Sequence, residues 1–269
     1  MNDTVTIADD FTVKRIGLGT NRIEGNHQSQ SVLRKAVDIG MNFIDTAAAY
    51  THGVSEMVIG NTLAPYPENV IVATKGGMHH PDFHINSRPE ALERQLETSL
   101  VHLKLKQIPL YFLHRVDPNV PLNDSILALK AMQHEGKIKH IGLSEVTVEQ
   151  IKEAQGYAQI TAVENEYNLL ERKYEDVVDY CAREGIVFIA WFPLGQGMYP
   201  PDITSALERI ARNYDANPIQ IALAWLLKRS PMMLPIPGSL SPTHLEENLQ
   251  ALQIYLSDQD FNYLSHINR

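Results

Sequence analysis

Four side chains suited to proton transfer follow short apolar runs. Asp45, Lys75 and His114 each come directly after a run that reads as a buried strand, at residues 43–44, 70–74 and 110–113. Tyr50 lies five residues after Asp45. A tyrosine normally loses its proton near pH 10, so it becomes an acid at neutral pH only where a cation favours the phenolate. We expect Lys75 to supply that cation, Asp45 to keep the lysine charged, and His114 to orient a carbonyl oxygen.

The overall composition excludes several classes of protein. The chain has 269 residues, a formal net charge of -9 and 44% hydrophobic residues. No apolar run is long enough to cross a bilayer, and residues 1–5 lack the features of a signal peptide. The single cysteine, Cys181, cannot form an internal disulfide. We therefore expect a cytoplasmic protein without a membrane segment. The sequence has no clustered Lys/Arg tract, so we do not expect it to bind nucleic acid.

Strand and helix patterns alternate along the chain. Residues 4–7 and 11–13 predict a short hairpin before the main body. Helices that end in glycine run directly into apolar strands at Gly40, Gly136 and Gly185, and glycine suits the left-handed residue after a helix. We count eight strand-helix units, with an extra helix before the last strand and no flexible linker. This order predicts an α/β fold, a (β/α)8 TIM barrel with an N-terminal β-hairpin, in a single domain over residues 1–269.

A doubly wound open sheet is the alternative fold. Such a sheet usually binds dinucleotides through a Gly-x-Gly-x-x-Gly turn, of which Gly17-Leu-Gly19 is only a fragment. In a barrel, by contrast, the active site lies at the carboxyl ends of the strands. The barrel therefore brings Asp45, Lys75 and His114 together, with Tyr50 within reach of a loop.

Several ordered motifs resemble those of the aldo-keto reductases over essentially the whole chain. They are GLGT at 17–20, DTAAAY at 45–50 followed by Ser55-Glu56, TKG at 74–76, IGLSE at 141–145, NEYN at 165–168, PLG at 193–195, and PIPGS at 235–239 ahead of Glu247-Asn248. The resemblance implies a catalytic tetrad of Asp45, Tyr50, Lys75 and His114. It also implies hydride transfer from NADPH, or less often NADH, to an aldehyde or ketone, with Tyr50 as the general acid.

The resemblance further implies that the cofactor lies extended across the mouth of the barrel. Gly19, Thr20, Asn21 and Asp45 would lie beside the nicotinamide ribose, Ser144 would hold the carboxamide, and Trp191 would stack on the ring. The other implied cofactor residues are Glu145, Glu164, Phe192, Pro193, Leu194, Gly195, Gln196, Ile236, Gly238, Ser239, Leu240, Ser241, His244, Glu247 and Asn248.

The chain departs from the family pattern at positions that concern the cofactor. Glu145 stands where asparagine is common, and Glu164 replaces the usual carboxamide-binding glutamine. An ionised carboxylate accepts hydrogen bonds but donates none, so we expect ionised Glu164 to favour the positively charged, oxidised nicotinamide. Gly238 and His244 stand where many relatives carry cations against the 2′-phosphate, which leaves NADH use more open than usual.

Substrate identity is expected to depend on a few residues around the mouth of the barrel. The candidates for substrate contact are Arg22, Met78, His79, Phe83 and Arg115. The loops after His114 and Gly195 are short, which favours an open site and broad aldehyde use. The cations nearby also suit an anionic carbonyl, and some relatives with similar motifs reduce pyridoxal. We expect a small-molecule carbonyl substrate and a monomer or weak homo-oligomer.

Two other classes of function are consistent with parts of the sequence. A regulatory or sensing protein on the same scaffold would bind the cofactor with only incidental turnover, and the intact tetrad argues against it. A metal-dependent hydrolase would use His79, His80 and His84. One flexible loop offers fewer ligands than zinc sites usually have, so we expect no metal. Cys181 lies in a helix away from the strand ends and is not an expected nucleophile.

Overall fold

The computed structural model describes residues 2–267, and the side chain of Gln196 lies outside that description. Twelve strands follow one another in the order β1 (Thr4–Ile7), β2 (Phe11–Lys14), β3 (Leu18–Gly19), β4 (Phe43–Asp45), β5 (Ile71–Gly76), β6 (Met78–His79), β7 (His84–Ile85), β8 (Ile108–Leu113), β9 (Ile138–Ser144), β10 (Ile160–Glu166), β11 (Val187–Trp191) and β12 (Met233–Pro235). The strands β1 and β2 form the predicted antiparallel hairpin, and β6 and β7 form a second, smaller one.

The remaining eight strands form one parallel sheet in the order β12-β11-β10-β9-β8-β5-β4-β3. Its first and last strands meet, because the backbone N–H of Gly17 donates to the carbonyl of Pro235 at 3.0 Å, and that of Gly19 donates to Pro237 at 3.4 Å. The sheet therefore closes on itself as a barrel. The predicted (β/α)8 barrel is confirmed, and the open doubly wound sheet is excluded.

Ten α-helices accompany the strands within the described residues. They are α1 (His27–Asp38), α2 (Val54–Leu63), α3 (Pro89–Leu103), α4 (Leu122–His134), α5 (Val148–Gln155), α6 (Glu175–Glu184), α7 (Pro201–Asn213), α8 (Pro218–Arg229), α9 (Pro242–Gln250) and α10 (Asp258–His266). The predicted extra helix before the last strand is present, since α7 and α8 both precede β12. Gly40, Gly136 and Gly185 have φ angles of 83°, 77° and 68°, which confirms the left-handed helix ends.

Two apolar layers hold the barrel together. The larger layer lies between the outer face of the strands and the surrounding helices. The smaller one fills the barrel and includes Val5, Ile7 and Val13 of the hairpin beside Phe43 and Ile71 at the amino ends of their strands. The hairpin thus covers the amino end of the barrel and leaves the carboxyl end open. Within residues 2–267, no helix is long and apolar enough to cross a membrane.

Candidate active site

A buried ion pair lies at the carboxyl end of two adjacent strands. Asp45 ends β4 and Lys75 is the penultimate residue of β5, and the lysine Nζ lies 2.6 Å from both carboxylate oxygens. Nζ also donates to the carbonyl of Thr46 at 2.9 Å. Burial disfavours the charged lysine, but the negative charges of Asp45 and Glu164 outweigh this effect and raise the pKa of Lys75 above its usual value. The lysine therefore stays protonated at physiological pH.

Tyr50 contacts this pair from a 3-10 turn. Its hydroxyl lies 3.4 Å from Nζ of Lys75. The two residues after Tyr50, Thr51 and His52, have φ angles of 46° and 59°, a left-handed conformation that is uncommon for residues other than glycine. The Thr51 hydroxyl holds this turn in place, because it donates to the carbonyl of Ile23 and accepts from the backbone N–H of Ser55, both at 3.1 Å.

Lys75 favours ionisation of Tyr50, as predicted, but other groups oppose it. Burial raises the pKa of Tyr50, Lys75 lowers it, and the carboxylates of Asp45 and Glu164 raise it again. The net direction is upward, because burial outweighs the contribution of Lys75. The sequence identified the cation but gave no measure of burial and did not place a second carboxylate beside it.

His114 faces Tyr50 across the carboxyl end of the barrel. It directly follows β8, is 5% exposed, and its ring centre lies 6.0 Å from that of Tyr50 at an interplanar angle of 80°. Burial, together with the charges of Lys75 and Arg115, holds the pKa of His114 well below its usual value. The imidazole is therefore neutral at physiological pH and can donate one hydrogen bond to an oxygen placed beside Tyr50.

Glu164 belongs to the same charged cluster. It lies on β10, is 1% exposed, and its Oε1 is 3.2 Å from Nζ of Lys75. Burial and the charge of Asp45 raise the pKa of Glu164 to about 8. The sequence predicted a role for an ionised Glu164 at the cofactor, whereas this pKa makes the carboxyl group mainly neutral at pH 7.

Glu145 orients an aromatic ring at the mouth of the barrel. Its backbone is left-handed, with φ at 57°, and its Oε1 accepts from the indole Nε1 of Trp191 at 2.8 Å and from the backbone N–H of Glu166 at 2.7 Å. The hydroxyl of Tyr174 donates to its Oε2 at 3.0 Å. The carboxylate is thus engaged by protein donors, and it fixes the ring plane of Trp191, which ends β11.

Replacing Glu145 by leucine should free the indole of Trp191. The change leaves three donors without their acceptor, each at a cost of about 1–3 kcal/mol where the donor is buried. We expect red-shifted emission and faster depolarisation of Trp191 fluorescence, obtained by subtracting the spectrum of the Trp191→Phe variant from that of wild type. Glu145→Gln retains one acceptor oxygen and should give a smaller change. Unchanged emission and anisotropy in Glu145→Leu would contradict this positioning role.

A cavity of about 700 Å³ opens beside Tyr50 and extends along the last strands, a size within the usual range for ligand sites. Its lining residues are Gly19, Thr20, Asn21, Arg22, Asp45, Tyr50, Trp191, Phe192, Pro193, Leu194, Gly197, Met198, Ile219, Ile236, Pro237, Gly238, Ser239, His244, Glu247 and Asn248. One wall is formed by the amino end of α9, where the hydroxyl of Ser241 accepts from the backbone N–H of His244. The amino end of a helix carries the positive end of the helix dipole, which favours anions.

Comparison with known proteins places this fold and cavity in a family. Residues 15–269 match the sequence profile of the Aldo/keto reductase family. The chain belongs to the aldo/keto reductases. An uncharacterized oxidoreductase of Schizosaccharomyces pombe is 41% identical to it over 264 residues, covering 94% of this chain and 86% of the relative. The predicted family membership is confirmed, and membership supports an oxidoreductase activity.

Two further proteins resemble this aldo/keto reductase along nearly its whole length. Pyridoxine 4-dehydrogenase of Escherichia coli is 35% identical to it, with 96% of each chain covered. The crystal structure of an aldo-keto reductase from Klebsiella pneumoniae in complex with NADPH matches it with a TM-score of 0.87 and 27% identity, covering 100% of this chain and 95% of that one.

The structure of this aldo/keto reductase does not bring every predicted site residue to the cavity wall. Among the residues that it describes, those outside the lining are Lys75, His114, Ser144, Glu145, Glu164, Gly195, Leu240, Ser241, Met78, His79, Phe83 and Arg115, and the side chain of Gln196 is not described. Lys75 and Glu164 are buried instead, and Lys75 contacts the carboxyl groups of both Asp45 and Glu164. Arg115 donates to the hydroxyl of Ser144 at 3.0 Å and to the carbonyl of His114 at 2.6 Å. It therefore contacts two predicted site residues without lining the cavity.

Four lining residues of the reductase are absent from the sequence prediction. Gly197 and Met198 follow the PLG motif, Pro237 lies within PIPGS, and Ile219 is in the first turn of α8. The helical periodicity that identified α8 gave Ile219 no distinguishing signal. Pro237 could have been found, since it lies between two residues of the motif that were chosen.

The histidines of the β5–α3 connection pack against other histidines. His79 stacks on His84 with ring centres 4.8 Å apart, and the ring centre of His80 lies 3.4 Å from that of His52, which follows β4, with the two rings tilted by 40°. Within residues 2–267, no group of three or more His, Cys, Asp or Glu side chains is arranged to hold a metal ion. Cys181 is buried on α6, and burial raises the pKa of its thiol to about 12, which is opposite to what a nucleophile needs.

Proposed function

We propose that this protein reduces an aldehyde or ketone to an alcohol with NADPH or NADH, and that Tyr50 is the proton donor. One observation carries the proposal. Tyr50 lines the 700 Å³ cavity, and its hydroxyl lies 3.4 Å from a lysine Nζ that both oxygens of Asp45 hold at 2.6 Å. A phenol on the wall of a cavity of ligand size is thus backed by a buried cation and its counter-ion.

The residues along the cavity suit an extended dinucleotide. Trp191 offers an aromatic face on the cavity wall that also includes Tyr50, and the amino end of α9, the positive end of its helix dipole, lies on the same wall. Ser239 and Asn248 add polar side chains to this lining. The NADPH held by the related Klebsiella structure supports NADPH as the first cofactor to test.

The chain's own residues account for the proton transfer. A bound reduced nicotinamide would supply a hydride to the carbonyl carbon. The neutral imidazole of His114 donates a hydrogen bond that orients the carbonyl oxygen, and Tyr50 gives that oxygen its proton. The tyrosinate left behind is stabilised by the charge of Lys75 at 3.4 Å, and it takes a proton from water to complete the cycle.

The test is steady-state oxidation of NADPH and of NADH with a panel of small aldehydes, ketones, quinones and vitamin B6 aldehydes. The last group is included because pyridoxine 4-dehydrogenase is among the relatives. We expect multiple turnovers with at least one carbonyl compound and formation of the matching alcohol. Cofactor binding without turnover on any substrate would instead support a sensing role.

Arg22 is expected to strengthen dinucleotide binding. Of the described residues that line the cavity, it alone carries a permanent positive charge, and its Nη2 donates to the carbonyl of Gly238 at 2.7 Å. It therefore stands beside the segment in which Gly238 and His244 replace the usual cations. Arg22→Ala should raise the Kd for NADPH about ten-fold at low salt and flatten its salt dependence. The exposed Arg34→Ala on α1 is the control, and equal Kd values for both variants would contradict the role.

A further inference from the structure

Three ionisable groups are packed together, with Asp45 on the cavity wall and Lys75 and Glu164 buried beside it. Asp45, Lys75 and Glu164 have side chains that are 2%, 0% and 2% exposed. The lysine Nζ lies 2.6 Å from both oxygens of Asp45 but 3.2 Å from the nearer oxygen of Glu164. Within residues 2–267, no hydrogen-bond donor reaches Oε2 of Glu164. The lysine therefore pairs mainly with Asp45, and a negative charge on Glu164 would be less well compensated.

The other groups around Glu164 do not supply a second positive charge. Ser144 pairs with it in register on β9, and Ile189 does so on β11. Arg115 reaches the hydroxyl of Ser144. Tyr50 contacts Lys75 as a neutral phenol, and burial and nearby charges keep His114 neutral as well. One lysine thus contacts two buried carboxyl groups, and an uncompensated buried charge is costly.

We propose that Glu164 holds a proton in the resting site and that its ionisation makes the preference between oxidised and reduced nicotinamide depend on pH. With Glu164 protonated, the cluster of Lys75, Asp45 and Glu164 has a net charge of zero. Loss of the proton to solvent changes this charge to minus one. The inference rests on the proposed function, because it names the control of the same site.

The geometry also indicates where the proton lies. Burial raises the pKa of Asp45 as well, but the charge of Lys75 and a hydrogen bond with Glu164 lower it. Because Nζ of Lys75 lies 2.6 Å from Asp45 and 3.2 Å from Glu164, the proton is expected on Glu164, the carboxyl group farther from the cation. Burial and the charge of Asp45 raise the pKa of Glu164 to about 8, so the change falls within the working range of an enzyme. Above that pH, the added negative charge attracts the positively charged oxidised ring and opposes formation of the Tyr50 phenolate.

The protonation can be tested without any cofactor. A raised pKa in the folded state means that folding is favoured at low pH, and that this contribution is lost as the pH rises from the usual carboxyl range through about 8. The melting temperature of Glu164→Gln minus that of wild type should therefore increase from pH 5 to pH 8.5 and then level off. The exposed Glu153→Gln on α5 should show no such trend. A constant difference for Glu164→Gln would overturn the inference.

The closing experiment measures the Kd values of NADP⁺ and NADPH by fluorescence between pH 6.5 and pH 9.5. In wild type, the ratio of the NADP⁺ value to the NADPH value should fall about ten-fold, and in Glu164→Gln it should change by less than about two-fold. A second measurement uses wild type alone and therefore remains available if Glu164→Gln does not fold. Calorimetry in buffers with different ionisation enthalpies should show proton release when NADP⁺ binds at pH 7. Tight binding with a ratio independent of pH would overturn this inference alone, whereas binding of neither dinucleotide would overturn the proposed function as well.

Discussion

The Tyr50→Phe variant should lose nearly all reductase turnover while keeping its fold and its cofactor affinity. The substitution removes the hydroxyl that lies 3.4 Å from Nζ of Lys75 and leaves the ring in place. Removing a general acid typically costs about 10²–10⁴-fold in rate, so we expect kcat to fall by that factor. The Kd for NADPH should change by less than about three-fold, because the phenyl ring still fills its place in the cavity wall.

The matched control for this prediction is Tyr157→Phe. Tyr157 is 38% exposed, and its hydroxyl lies away from the site. The kcat of Tyr157→Phe should equal that of wild type. If Tyr50→Phe kept more than about a tenth of the wild-type kcat with an unchanged KM, another group would have to deliver the proton, and the assigned role of Tyr50 would be wrong.

The Lys75→Met variant should be both inactive and markedly less stable. Lys75 is fully buried, pairs with the carboxylate of Asp45 and is the nearest positive charge to Glu164. Removing one partner of a buried ion pair typically costs about 3–5 kcal/mol, since the remaining charge has no compensation. We expect a loss of this size in the free energy of unfolding at pH 8, measured with urea.

The loss in Lys75→Met should be smaller at pH 5. Without the lysine, the two buried carboxyl groups have raised pKa values, so the folded state takes up protons and gains stability as the pH falls. The exposed Lys106→Met is the control and should remain within about 0.5 kcal/mol of wild type at both pH values. A loss below about 1 kcal/mol at pH 8 would show that the ion pair does not determine the stability of the site.

Much of the fold and the centre of the site could be predicted because they depend on local pattern. Short apolar runs ending in Asp45, Lys75 and His114 mark the strands, and parallel strands of a barrel deliver their carboxyl ends to the same place. Glycines at helix ends also predicted where those helices stop. The pattern is short-range, so it could place these three side chains near one another without giving their distances or exposure.

The remaining features of the site depend on contacts between distant parts of the chain. Arg22 bonds to the carbonyl of Gly238, which is 216 residues away, and no local pattern predicts that pairing. Glu145 was assigned to the cofactor by its neighbours in sequence, but its left-handed backbone turns the carboxylate toward Trp191. The acidity of Tyr50 and Glu164 is set by burial and by the number of nearby charges, which only the packed structure defines.

The most direct test of the central claim follows the hydride and the proton in one reaction. Wild-type protein would reduce an aldehyde with NADPH that carries deuterium at the hydride position of the nicotinamide ring, and the alcohol would be analysed by mass spectrometry. We predict one deuterium on the carbinol carbon for each cofactor oxidised, and almost no labelled alcohol from Tyr50→Phe in the same time. Oxidation of the cofactor without deuterium in the alcohol, or equal labelling by Tyr50→Phe, would contradict the assignment of this site as a carbonyl reductase centre with Tyr50 as its acid.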